Sequence, residues 1–170
     1  MPAVSEAIVV CTVVASVGAS AVVDVYTRRV PNPLTLGIAA VGVAMAATHV
    51  SGVSVVGAFA GFALGLLLML PGHLIGATGG GDVKLFAAVG TLLGPSRIGM
   101  AFLYTAMAGG ALAMVIALRR RRFGATMERT AALVCTGGAN VAEIEGPSAD
   151  NRFAYAPAIA VGAIVAALGG

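Results

Sequence analysis

Long apolar runs leave this chain very few ways to fold. Runs over 5–23, 34–50, 54–75, 84–96, 98–118 and 153–169 contain only Glu6 and Lys84 as charged residues. Most approach the roughly 20 residues that a helix needs to cross a hydrocarbon core about 30 Å thick. Backbone N–H and C=O groups in lipid must pair within the protein, which restricts spanning structure to helices or a closed barrel. Continuous apolar runs, without period-two alternation, select helices. Composition agrees: charged residues make up 10% of the chain, against about 25% in soluble domains, and the mean hydropathy is +0.99. The sequence therefore predicts an all-α polytopic membrane protein with about six transmembrane helices. Residues 1–170 form one membrane-embedded domain, with no room for a separate soluble one.

The basic residues orient these helices. With six crossings, Arg28, Arg29, Lys84, Arg119 to Arg122, Arg129 and Arg152 share one face, and Arg97 lies on the other. By the positive-inside rule the first face is cytoplasmic, both termini lie outside, and the protein belongs in the cytoplasmic (inner or plasma) membrane. The Arg119–Arg122 cluster directly follows an apolar run. It reads as a stop-transfer or anionic-lipid contact, and no nucleic-acid partner is expected. Residues 119–152 read as a cytoplasmic loop without an assigned role. Cys11 and Cys135 form no CxxC pair and read as free thiols. Ala19-Ser20-Ala21 resembles a signal-cleavage site, but the residues before that apolar run lack Lys and Arg and include Glu6, so the run is expected to remain as a helix. Gly57, Gly61 and Gly65 form a small-residue stripe expected to pack inside the bundle. The run 84–96 reaches only about 20 Å as a helix and is expected to be a short crossing rather than a re-entrant loop. His49 and His73 are expected at the membrane interface, and the methionines as packing.

Against this apolar background, Gly79-Gly80-Gly81-Asp82-Val83-Lys84-Leu85 stands out. An ionisable group beside membrane-depth sequence is a functional-site hypothesis by default. A second carboxylate, Asp24, sits at the C-terminal end of the first run, where the helix dipole disfavours an acid. Asp-Val-Tyr-Thr-Arg-Arg-Val-Pro-Asn-Pro, residues 24–33, then leads into the second run, with Pro31 and Pro33 bracketing Asn32. Two crossings separate Asp24 from Asp82, so both acids lie on the same face. If the first and fourth runs pack together, the acids can meet. Two carboxylates in one partly desolvated site do not ionise independently and can share a proton. One then serves as general base on a water, and the other as acid toward a carbonyl. This chemistry needs no metal or cofactor, and none is expected. Glycines beside Asp82 leave room for an extended peptide backbone. Simpler roles also fit: Asp82 as a helix cap, and Asp24 as a partner of Arg28 one turn on. A phosphate loop does not fit, because GxxxxGK[ST] and its strand–loop–helix context are absent.

Three stretches resemble the prepilin peptidases, membrane aspartic proteases of the GxGD type. Asp24 with Arg28-Arg29-Val30-Pro31-Asn32 resembles the family's first aspartate motif. Gly79-Gly80-Gly81-Asp82-Val83-Lys84-Leu85 resembles its GxGD motif, and Tyr155-Ala156-Pro157-Ala158-Ile159-Ala160 its C-terminal helix motif. The resemblance implies a peptidase domain that removes the basic leader of type IV prepilins or pseudopilins at the cytoplasmic face. Asp24 and Asp82 would be catalytic, supported by Gly79, Gly81, Lys84, Arg28, Pro31 and Asn32. The cysteine-bearing domain of larger members, which also methylate the pilin, has no counterpart here. The chain resembles the short, peptidase-only branch of tight-adherence (Flp-type) pili. Two alternatives remain: a GxGD intramembrane protease of another class, and a non-enzymatic transport or assembly protein that uses the acids for ion pairing.

Overall fold

The computed structural model describes residues 2–27, 29–74, 78–119 and 155–169. They form five helices: α1 (Pro2–Thr27), α2 (Asn32–Ala47), α3 (Val55–Leu74), α4 (Gly80–Arg119) and α5 (Ala156–Leu168). No strand occurs among them. Three helices are long and apolar enough to cross a membrane: α1, α3 and α4; α2 and α5 are shorter apolar helices. Large apolar side chains such as Leu36, Val56, Phe59, Leu67 and Met107 point outward. A contiguous apolar exterior of this kind suits lipid rather than water.

Helix is found in all six expected runs, but the fourth and fifth are joined. Runs 84–96 and 98–118 fall within α4, which is interrupted at Gly94 (φ 71°, ψ 176°), next to Pro95. That backbone conformation is essentially reserved for glycine, and Pro95 withholds the N–H that a continuous helix would use. The interruption folds α4 back on itself. Phe86 and Phe102 stack edge-to-face with ring centroids 6.2 Å apart, whereas a straight helix would separate such positions by about 24 Å. The two arms of α4 therefore run antiparallel as a hairpin.

The first arm, residues 80–93, is the centre of the molecule. From Leu85 to Leu93 every residue is buried, as expected of a helix surrounded by others. It packs most extensively on α3, and α4 as a whole also contacts α5 and α2. Glycines permit the approach. A Cβ on Gly61 would strike the Gly90 carbonyl, a Cβ on Gly90 would strike that of Gly61, and Gly65 lies over the Phe86 carbonyl. Two of the three glycines in the α3 stripe thus face α4 inside the bundle. α5 is built largely from small residues and buries most of its length, with Gly162 against Thr105.

The connections have local causes. Ser54 accepts the Gly57 N–H at 3.0 Å and caps α3. Pro31, extended at φ −70°, ψ 141°, starts α2. His49, at φ 57°, ends α2 in a left-handed turn; its role here is a helix stop. Residues 120–152 of the expected loop lie outside the described residues, as do Cys135 and Arg28; Cys11 is a free, exposed thiol.

Candidate functional site

One face of α1 carries Val9, Val13, Val17, Ser20 and Asp24, all buried. Their spacing of three or four residues is one helical stripe, so the packing that buries the valines also buries the carboxylate. Asp24 is only 5% exposed. It sits at the negative end of its own helix, but its Oδ2 accepts the Ala156 N–H at 3.3 Å. That N–H belongs to the first turn of α5, the positive end of another helix. The dipole of α5 thus opposes the unfavourable dipole of α1. Among the described residues the hydrogen-bond partner of Asp24 is this backbone group; Arg28, expected as an alternative partner, lies outside them.

Asp82 occupies the first turn of α4. Its Oδ2 accepts the Gly79 N–H at 3.2 Å, while the Gly79 carbonyl accepts the N–H groups of Asp82 and Val83 at 3.1 and 3.3 Å. This is the N3 half of a capping box: Asp82 takes the N–H of the N-cap residue Gly79, which has no side chain to return the bond. It does not account for the whole environment. Asp82 is 7% exposed, and the charge of Asp24 acts directly on it. Asp24 thus lies against the start of α5 and Asp82 in the first turn of α4, each with one oxygen held by a backbone N–H.

Packing of the first run on the fourth was the condition under which the acids could meet. In the structure α1 packs mainly on α5 and touches α4 lightly, so α5 is the element that holds Asp24.

The glycine run sits close to its neighbours. Val30 lies over Gly81, its Cβ 3.4 Å from where a Gly81 Cβ would stand, and a Cβ on Gly79 would lie 3.1 Å from Asp82 Oδ2. Lys84, the exposed residue of an otherwise buried stretch, donates from Nζ to Asn32 Oδ1 at 3.1 Å, tying the start of α4 to the start of α2. Pro31 sets where that start falls. His73 Nδ1 lies 3.0 Å from the Thr78 carbonyl, to which it donates, and the Thr78 N–H bonds the Gly72 carbonyl at 3.2 Å. These two bonds fix the approach to Gly79, a local role for His73 beyond interface placement.

Tyr155 and the Ala156 N–H are site components that reading the residues did not identify. Tyr155 precedes α5 and packs on Gly109 in the second arm of α4. Burial first, and the Asp82 charge second, raise its phenol above its ordinary value of 10.0, which places its ring in the field of the pair. The sequence held one signal, the Tyr155-Ala156-Pro157 stretch, without indicating what it touches. Among the described residues no group of three or more His, Cys, Asp or Glu side chains is arranged to hold a metal.

The model of the type IV leader peptidase family matches residues 11–114, a stretch that includes both aspartates and the glycine run. No curated protein and no solved structure matches the chain.

Proposed function

Because the chain belongs to the type IV leader peptidase family, we propose that this integral membrane peptidase is of the aspartic type, with Asp24 and Asp82 as its reacting pair. The observation that carries the reading is the burial of two carboxylates, one from α1 and one from α4, with the charge of Asp24 acting on Asp82. Like charges so placed disfavour joint ionisation, so the pair holds one proton between them. The ionised carboxylate takes a proton from a water as its oxygen attacks the scissile carbonyl. The protonated carboxyl gives its proton to the carbonyl oxygen, forming a neutral gem-diol. Collapse breaks the C–N bond: a diol proton returns to one carboxylate, and the departing nitrogen takes the proton gained from water. The backbone N–H anchors hold both carboxyl groups in place during this exchange.

The substrate is a type IV prepilin or pseudopilin, and the cut removes its basic leader. Val30 and the Asp82 carboxylate already stand against the Cβ positions of Gly81 and Gly79, so these glycines let the parts of the site close on one another beside Asp82 rather than leaving the room for a peptide that the sequence suggests. Lys84 and Asn32 tie the starts of α4 and α2 together beside the site, Pro31 begins α2, and Arg28 is a supporting residue by resemblance to the family's first motif alone. Arg29 and Lys84 at this end of the bundle support a cytoplasmic-facing site in the cytoplasmic membrane.

The test is co-expression with a prepilin, with leader removal followed by gel shift. Wild type converts the precursor, whereas Asp24→Asn and Asp82→Asn, tested separately, leave it intact. Undiminished conversion by both variants contradicts the assignment.

A further inference from the structure

Gly109 and Tyr155 form a contact that the peptidase reading does not by itself require. A Cβ on Gly109 would stand 2.6 Å from Tyr155 Cε2, 2.8 Å from Oη and 2.9 Å from Cζ. The ring therefore lies directly on the helix backbone of the second α4 arm, where no side chain fits between. Gly110, one residue on, has nothing within 4 Å of the same position. The two glycines have different jobs: Gly109 is a seat, and Gly110 is open. Tyr155 immediately precedes Ala156, whose N–H reaches Asp24 Oδ2. A tyrosine has two side-chain torsions, so a ring held on Gly109 leaves the start of α5 little freedom. The helix that carries Asp24, α1, packs mainly on α5.

We propose that Tyr155 is a positioning residue: its ring, seated on Gly109, fixes where α5 begins and so where the Ala156 N–H meets Asp24. This rests on the reading of Asp24 as half of the reacting pair. Tyr155 acts through Asp24, and the seat of its ring on Gly109 does the positioning. A methyl on Gly109 displaces the ring and the first turn of α5 with it. Catalysis then falls while peptide binding is unchanged.

The experiment uses the full-length protein in liposomes and a synthetic peptide carrying a basic leader and the start of an apolar helix. kcat and KM are measured per folded protein. Gly109→Ala lowers kcat about tenfold or more, the scale of a small misplacement of a reacting group, with KM within about threefold. Gly110→Ala leaves both unchanged. Tyr155→Phe keeps the ring on its seat and retains more kcat than Tyr155→Ala. Tyr155→Ala lowers kcat as Gly109→Ala does, and adding Gly109→Ala to it has no further effect, since the seat has lost its occupant. If Tyr155→Ala is not monodisperse, Tyr155→Leu replaces it in the cycle. Equal losses from Gly109→Ala with and without Tyr155 overturn the proposal, as does unchanged kcat in Tyr155→Ala or a Phe variant as impaired as the Ala variant. Asp24→Asn separates the two levels: full activity there defeats the reading of the site, whereas an inactive Asp24→Asn with an unimpaired Tyr155→Ala defeats the positioning role alone.

Discussion

Asp24 is the residue whose placement most needs a physical cause. A carboxylate at the C-terminal end of its own helix is disfavoured, and the start of α5 supplies the opposing dipole and an N–H at 3.3 Å. Half of this was legible in the sequence. Asp24 stands at the C-terminal end of the first apolar run, where an acid needs a partner, although valines on several faces of α1 hide which face is buried. The other half was not, because Ala156 lies 132 residues away and a contact between remote backbones leaves no local pattern. Asp82 was the more legible acid, since its glycines and following lysine stand together. Yet both roles weighed for it have support: it accepts the Gly79 N–H at the start of α4 and feels the charge of Asp24. Tyr155 gives a prediction at this scale. Its phenol is raised in the folded state, so the fold keeps a proton that the unfolded chain loses above about pH 10. Stability is therefore full below that pH and declines as pH rises through the folded value. Thermal unfolding in detergent between pH 9 and 11 tests this, with Tyr155→Phe showing a smaller decline than wild type; equal declines contradict it.

The decisive element is α4. Six runs were expected and five helices are found, because Gly94 and Pro95 turn two of them into the arms of one hairpin. Pro95 was legible as an end to the run, but the left-handed backbone at Gly94 was not, since one glycine among 24 carries no mark of its φ angle. Gly94→Val places a branched side chain in that conformation and is expected to destabilise the protein by about 1–3 kcal/mol. Packing at Gly61 and Gly90 gives an independent prediction. Gly61→Leu drives a side chain into the Gly90 carbonyl and is expected to cost about 1–3 kcal/mol or more, whereas Gly37→Leu, with open space around it, changes little. Chemical unfolding of each variant in micelles reads both. Equal stability of Gly61→Leu and Gly37→Leu would show that the α3–α4 approach is not close.

For the whole molecule, the fold class was legible from hydrophobic runs alone, because lipid allows so few architectures. Which helices touch was not: apolar periodicity says that a face is buried, not against what. The neighbours of the site come from three distant parts of the chain, held at one end of the bundle. Its orientation follows from charge. In a Cys11→Ser, Cys135→Ser background, Arg29→Cys is expected to react with an impermeant maleimide only after cells are opened; labelling of intact cells would place this end outside. The central claim is that Asp24 and Asp82 act as one unit. The most direct measurement is the single-turnover rate of leader removal for Asp24→Asn, Asp82→Asn and the double variant. Residues that share one proton are not additive. Each single variant is predicted to lose roughly 10²–10⁴-fold and the double variant no more than either. Losses that multiply in the double variant, or a single variant that keeps its rate, would contradict the account.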